Sequence, residues 1–369
     1  MAKLNIVHLR SAEFFGGPER AIIGQCTNVP DYNFTVASFV RDNAKNIFLK
    51  IAQAEGLPTA EIHDAFAGDF RVIAQIKNLL KQTDADILVT HDYKANFFGY
   101  FALKGIKIRQ IAHFRGYTWE DRKAKFYNAV NAWMLRKMKT ILAVSEKSSR
   151  ILQEMGVPPE VIKVVPNAIE DHKLVPVEFR REVAPPKNLT GICAGRLSFE
   201  KGQDVLVDAV AGIKEYAPEF RIDIYGHGPE EENLKKQIAE KGVAKQIKLC
   251  GFVDNILPVL KNADFMILPS RSEGMPNILL EAWSQKLAVI STSVGGVPEM
   301  ITDGVNGVLA PSEDPKRLGE LLLDVLQHPV KLEEYGEAGY RTVREKYSYS
   351  VQAEILKDIY HFGNNAENK

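Results

Sequence analysis

Short apolar runs alternate with longer stretches of helical periodicity along the whole chain, the rhythm of parallel sheets with helices on both faces. In the first half, Leu4–Leu9, Phe34–Val40, Ile87–Thr90, Arg109–Ala112, Ile141–Val144 and Ile162–Val165 predict strands, with helices over Pro18–Cys26, Phe70–Gln82 and Lys123–Met138. The pattern then breaks. From Asp171 to Asn188 the chain is charged, carries Pro176, Pro185 and Pro186 and has no sustained period, as a linker would. It restarts with strands at Leu189–Arg196, Arg221–Tyr225, Ile247–Phe252, Phe265–Pro269 and Leu287–Ser291, and helices at Gln203–Tyr216, Glu230–Glu240, Ile278–Gln285 and Pro315–Gln327. Val351, Ile355, Leu356 and Ile359 make Ser350–Tyr360 a closing helix. The expected fold class is α/β, with two doubly wound Rossmann-like domains facing across a cleft: residues 1–172, a linker at 173–188, residues 189–346, and a terminal segment 347–369.

At 369 residues the chain has room for two cores of about 150–200 residues each. With 45% hydrophobic and 25% charged residues it has the make-up of a soluble globular protein, not of a disordered or fibrous one. Asn5 and His8 interrupt the first apolar run, so no leader is expected, and no apolar stretch reaches the ~18–20 residues of a membrane span. Cys26, Cys193 and Cys250 stand far apart without metal-ligand spacing, which argues against a disulfide framework or structural zinc and suits a reducing, cytoplasmic setting. The zero net charge hides an asymmetry: residues 1–175 carry 24 Lys and Arg against 18 Asp and Glu, the remainder 23 against 29. Between Lys94 and Arg150 there are 13 basic residues and three acidic ones. That face reads either as attraction to an anionic membrane surface or acceptor, or as ordinary solvated helix faces. No nucleic-acid partner is expected.

In open α/β sheets, ligands sit beyond the carboxyl ends of strands, so the loops that follow strands are where chemistry is sought. The most informative is Ser272-Glu273-Gly274-Met275-Pro276-Asn277-Ile278-Leu279-Leu280-Glu281, between a buried strand and a helix. Met275, Asn277 and Ile278 offer backbone N–H groups at a helix start, where hydrogen bonds and the macrodipole favour an anion, while Pro276 has none to offer. Glu273 and Glu281 offer acceptors for sugar hydroxyls. A single glutamate here could merely complement the helix dipole, which accounts less well for the whole block. Gly195-Arg196-Leu197-Ser198-Phe199-Glu200-Lys201-Gly202 follows the second domain's first strand. Arg196 supplies a planar fork and Lys201 a movable point charge, a pair able to neutralise a diphosphate; a surface ion pair would use the same residues.

In the first domain, Phe15-Gly16-Gly17-Pro18 follows the first strand, and Gly16 and Gly17 let backbone approach a phosphate closely. The dinucleotide fingerprint is missing, because in Gly226-His227-Gly228 the third glycine's position is held by Glu231. Gly226, Phe252 and Val253, at the ends of two further strands, join the nucleotide-side candidates. His113 follows the strand Arg109–Ala112 and reads, by itself, as a structural residue or a site residue. Arg115 and Asn167 are acceptor-side candidates. Asp84-Ala85-Asp86 looks like a metal-binding DxD but precedes a strand, at the edge opposite the ligand-binding one, and reads as a turn.

Together these blocks resemble the retaining nucleotide-sugar glycosyltransferases of family 4, which have the GT-B fold, over nearly the whole chain. EGMPNILLEA matches that family's E-x7-E motif, GRLSFEKG is similar to its diphosphate-binding turn, and VVPNAIE and AVSEKS to segments ending its first domain. The resemblance implies that Glu273 contacts donor-sugar hydroxyls, Glu281 binds the ribose, Arg196 and Lys201 hold the diphosphate beside the Gly16-Gly17 loop, and His113 lies beside the donor sugar. It also implies a terminal helix, Tyr347–Tyr360, returning to the first domain. The chemistry it implies needs no metal and no cofactor: the acceptor attacks on the leaving group's face and passes its proton to a phosphate oxygen. Paired carboxylates could also serve a hydrolase, but their setting suits binding better. The expected function is transfer of a sugar from a nucleotide-diphosphate sugar, a UDP-sugar before GDP-mannose, to a glycan or lipid-linked glycan. Two other readings stay open, a non-catalytic nucleotide-sugar-binding protein and an NAD-dependent oxidoreductase on a similar scaffold, the latter disfavoured by the missing glycines.

Overall fold

The computed structural model describes residues 3–12, 15–41, 46–66, 68–116, 122–179, 188–217 and 219–361, with 122–128 by their backbone alone. Two compact units form: Met1–Ala168 with Tyr349–Lys369, and Ile169–Ser348. In the first, the chain runs β1 (Asn5–Arg10), α1 (Gly17–Asn28), β2 (Asn33–Val40), α2 (Ile47–Ala54), β3 (Thr59–His63), α3 (Arg71–Gln82), β4 (Ile87–Thr90), α4 (Tyr93–Ala102), β5 (Arg109–Phe114), α5 (Arg122–Leu135), β6 (Ile141–Ala143), α6 (Glu146–Glu154) and β7 (Ile162–Val164). Its parallel sheet has the order β3-β2-β1-β4-β5-β6-β7. Helices cover both faces, so β4 is buried at all four positions and reads as an uninterrupted apolar run.

The elements without a prediction have physical reasons for their silence. The edge strand β3 buries only Ile62, which leaves no alternating pattern. Helix α4 is almost uniformly apolar, and its start is set by the Asp92 side chain, which accepts from the Ala95 N–H at 2.9 Å. Asn46 and Ser145 cap α2 and α6 in the same way.

The second unit continues with β8 (Leu189–Ala194), α7 (Gln203–Ile213), β9 (Phe220–Tyr225), α8 (Glu231–Glu240), β10 (Ile247–Gly251), α9 (Leu257–Lys261), β11 (Phe265–Leu268), α10 (Asn277–Ser284), β12 (Ala288–Thr292), α11 (Val297–Met300), β13 (Val308–Ala310), α12 (Pro315–Gln327) and α13 (Val330–Lys346). This sheet is also parallel, in the order β10-β9-β8-β11-β12-β13. In both sheets the order reverses once, between β1 and β4 and between β8 and β11. Such switch points open a crevice at the carboxyl ends of the strands.

Residues 173–179, predicted as part of a linker, are fastened to the second unit. Lys286 is the main clasp: its buried ammonium donates to the carbonyls of Val177 (2.9 Å) and Phe179 (2.7 Å) and pairs with Glu337 at 2.8 Å. Tyr340 Oη donates to the Val175 carbonyl at 2.7 Å. The contact boundary therefore falls at Ala168/Ile169, ahead of the proline-rich stretch.

The last helix, α14 (Tyr349–His361), belongs to the first unit. Leu356, Ile359 and Tyr360 join the core formed by Ile22, Ile23 and Cys26. Burying three such side chains stabilises by roughly 5–9 kcal/mol as an upper bound. Gln25 Nε2 donates to Tyr360 Oη at 3.0 Å, and Arg109 donates to the Tyr360 carbonyl. Gly24 makes this approach feasible, since a Cβ there would collide with the Tyr349 hydroxyl.

Candidate active site

In the second unit, the loops after β8 and β11 meet at the switch point. Lys201 Nζ lies 2.8 Å from Glu273 Oε1, and Ser270 Oγ donates to the same oxygen at 2.7 Å. The Glu273 side chain is only 7% exposed and that of Lys201 27%, so the pair is held in a partly dry setting. Sequence put Lys201 on a phosphate and Glu273 on a sugar; the fold joins them directly. Arg196, on the same loop as Lys201, is exposed and has no side-chain partner among the described residues. Helix α10 starts after Pro276 with no side-chain cap and no acidic residue in its first turn, so neither a carboxylate nor a hydroxyl competes with an anion at its dipole. Gly274 and buried Met275 precede that start, Asn277 and Ile278 open it, and half-buried Glu281 lies one turn further in.

Two glycines explain how the loops pack. Gly226 follows β9 in a left-handed conformation (φ 147°) against the Gly195 carbonyl, where a Cβ would collide; it therefore shapes the turn carrying Arg196. Gly295 (φ 54°) meets the Glu273 carbonyl just as closely, and Gly296 N–H donates to the Gly274 carbonyl at 2.9 Å. This second loop, after β12, had no place in the sequence reading; a Gly-Gly pair ahead of Val297-Pro298-Glu299 was its signal. Phe252 stands 59% exposed beyond β10, near the His227 ring (centroids 6.4 Å apart), with half-buried Val253 next to it.

In the first unit, the carboxyl ends of β1, β4 and β5 assemble a row of histidines. His8 Nδ1 and His91 Nε2 are 2.9 Å apart, and the His91 and His113 rings are 5.3 Å apart. All three are buried. Burial, reinforced by Arg115, lowers the His8 pKa to about 3 and holds His91 and His113 well below the ordinary imidazole value, so all three are neutral near pH 7. Only His113 was singled out by sequence; His8 and His91 share its signal, a histidine at the end of a strand. Arg115 donates from Nη1 to Asn167 Oδ1 at 2.8 Å, and its own pKa falls to about 10 through burial. Both acceptor-side candidates are thus tied to each other. At the start of α1, Glu19 accepts from the Gly16 N–H at 2.9 Å and from Arg10. The Gly16 N–H is thereby committed within the protein, while the absence of a Cβ at Gly16 and at Gly17 still leaves the backbone open to close approach.

The basic stretch 94–150 is also narrower than its composition implies. Arg109 and Arg115 turn inward, and Lys94 pairs with Asp64 at 2.9 Å. Asp84 and Asp86 lie at the amino-terminal edge of the sheet, where Asp86 accepts from the Asn5 N–H at 2.8 Å. Among the described residues no helix is long and apolar enough to cross a membrane.

Each of the two parallel-sheet α/β units is a Rossmann-like scaffold with polar side chains gathered at its own switch point. Residues 15–173 match the family described as Glycosyltransferase Family 4, and residues 176–342 match Glycosyl transferases group 1. The chain is 29% identical over 265 residues to the amylovoran biosynthesis glycosyltransferase AmsK of Erwinia amylovora, covering 66% of this chain and 62% of that protein. It is 24% identical over 330 residues, 85% of each chain, to an Escherichia coli enzyme named UDP-Gal:alpha-D-GlcNAc-diphosphoundecaprenol alpha-1,3-galactosyltransferase. Among solved structures, Anabaena HepE in complex with UDP superposes with a TM-score of 0.84 at 18% identity, covering 96% of this chain and 99% of HepE. The protein belongs to the family 4 glycosyltransferases and has the GT-B fold.

Proposed function

We propose that this protein transfers a sugar, with retention of anomeric configuration and without a metal, from a nucleotide-diphosphate sugar to a glycan or lipid-linked glycan. The observation that carries the reading is the meeting of Lys201 and Glu273 at the switch point of the second sheet, beside the uncapped start of α10. Arg196, Lys201 and the helix start take the diphosphate, Glu273 and Glu281 accept from the sugar and ribose hydroxyls, and His113 donates to the sugar. As the bond from the anomeric carbon to the phosphate oxygen breaks, these positive groups stabilise the charge on the leaving group, and the acceptor hydroxyl gives its proton to a phosphate oxygen. Phe252 and Val253 are assigned to the base. UDP is favoured because HepE is described in complex with UDP and the Escherichia coli relative is named for UDP-Gal. That relative's acceptor, a diphosphoundecaprenol-linked sugar, supports a lipid-linked glycan here.

Such an acceptor suits peripheral contact with an anionic bilayer through residues 94–150. Lys104 lies over the Phe101 ring (4.7 Å) and Lys137 over the 46%-exposed Trp133 (4.6 Å), pairings of cation and aromatic that sit well at headgroup level.

A thermal-shift panel of UDP, GDP, UDP-glucose, UDP-galactose, GDP-mannose and NAD tests the donor. A ligand at a hundred times its dissociation constant stabilises by ~2.7 kcal/mol. Stabilisation by one nucleotide sugar, followed by mass-spectrometric detection of a glycosylated acceptor, is expected. Stabilisation by NAD alone, or by none of the six, would refute the reading.

A further inference from the structure

We propose that Arg115, braced by Asn167, is a positioning residue that locks His113 as the Nε2–H tautomer and so presents a buried N–H donor to a bound ligand's oxygen. This deepens the role given to His113 above and rests on it for its purpose, although the lock itself can be measured separately. A guanidinium has five N–H donors and no acceptor, so in the 3.4 Å contact between Arg115 Nη2 and His113 Nδ1 the arginine donates and Nδ1 accepts. A neutral imidazole that accepts at Nδ1 carries its proton on Nε2. That Nε2 is buried and has no hydrogen-bond partner among the described residues. Leaving a buried donor unmade costs ~1–3 kcal/mol, a cost that a ligand's hydroxyl or phosphate oxygen would remove.

Arg115 can act this way because it is itself fixed. Its Nη1 donates to Asn167 Oδ1 at 2.8 Å, and Asn167 is buried just after β7. The other groups facing His113 are His8 and Arg10 on β1 and His91 after β4, with Glu19 of α1 paired to Arg10 and Tyr349 of α14 acting on Arg115. None facing the ring directly is an anion, so a proton added to Nδ1 would break the Arg115 contact and set two cations side by side. The low proton affinity of His113, caused first by burial and then by Arg115, agrees with this geometry. Arg115 thus does two things at once: it selects the tautomer and keeps the ring neutral.

The test is nitrogen NMR on the full chain labelled with 15N-histidine, where long-range correlations distinguish a protonated from an unprotonated ring nitrogen. His113, identified by the signal lost in His113→Gln, is expected to have a bare Nδ1 and a protonated Nε2, unchanged from about pH 8 down to about pH 6, below the ordinary histidine value of about 6.5. The Nδ1–H tautomer, or a ring protonated at pH 6, overturns the proposal without reference to any activity. Arg115→Met is expected to give a mixture of tautomers, to move the acid-side limb of the kcat/KM profile upward while burial still holds it below the ordinary histidine value, and to lower kcat about tenfold or more. Arg115→Lys, which still donates, is expected to restore the tautomer. An unchanged tautomer in Arg115→Met sinks the lock even if activity is lost. A changed tautomer with unchanged turnover leaves the lock standing and removes His113 from the sugar site.

Discussion

Replacing Lys201 by methionine separates what its ammonium does for the fold from what it does for a ligand. Glu273 Oε1 accepts from Lys201 at 2.8 Å and from Ser270 at 2.7 Å, and the glutamate side chain is 7% exposed. Removing the ammonium leaves a nearly buried carboxylate held by one hydroxyl. Breaking a fully buried pair costs ~3–5 kcal/mol, and a hydrogen bond to a charged group contributes ~1.5–3 kcal/mol. Because Lys201 is 27% exposed, water screens part of its charge, and the lower range applies. At ~2–4 °C per kcal/mol for a unit of this size, melting of the second unit should fall by ~3–12 °C. Glu273→Gln removes the charge that Lys201→Met strands, so the double variant should recover ~1–2 kcal/mol relative to the sum of the single losses. Turnover should not recover with it: each single variant and the double are expected to stay ~10²–10³ below wild type. Circular-dichroism melts and sugar-transfer rates on the four proteins complete the cycle. A coupling below ~0.5 kcal/mol would refute the pair as a structural unit, and wild-type turnover in both single variants would refute its place in the site.

Arg196 is exposed and partnerless among the described residues, so Arg196→Ala should lower turnover by ~10²–10³ while stability stays within ~0.5 kcal/mol, a contrast that urea titration and kinetics read directly. Gly295→Ala must push the Glu273 loop away, and a loss of at least ~1 kcal/mol together with reduced turnover is expected; normal activity would show that the loop's position is immaterial. His8 is depressed to about 3 in the folded state, so the unfolded chain takes up its proton first as pH falls. Stability is therefore lost from about pH 6.5 downward toward pH 3, by up to ~1.4 kcal/mol per pH unit for this residue, and His8→Gln should flatten the measured slope by that amount. Trp133→Ser with Lys137→Ser should reduce co-sedimentation with anionic vesicles at low salt; if wild-type protein never sediments with them, the membrane contact is refuted.

The strands of both sheets rest on runs that are visible without coordinates, whereas their order is not. A strand covered by helices on both faces is apolar at most positions, so Ile87–Thr90 and Phe265–Leu268 announce themselves. The EGMPNILLEA and GRLSFEKG blocks were equally legible, because each lies between a strand and a helix and resembles a motif of the family. What the linear pattern could not carry is which loops touch. The Lys201–Glu273 pair spans 72 positions, and the Gly295 contact that supports it comes from a third loop whose own residues look like an ordinary turn. The histidine row is a sharper case. His8, His91 and His113 are single polar residues in apolar surroundings, each of which reads alone as a core histidine, and only the β1-β4-β5 order brings them side by side. Local pattern thus determined the elements and the motif loops, since both depend on burial and turn chemistry within a few residues. Tertiary structure decided which charges pair with one another, as with Arg10 and Glu19 or Lys201 and Glu273, because pairing and desolvation depend on neighbours that sequence distance does not reveal.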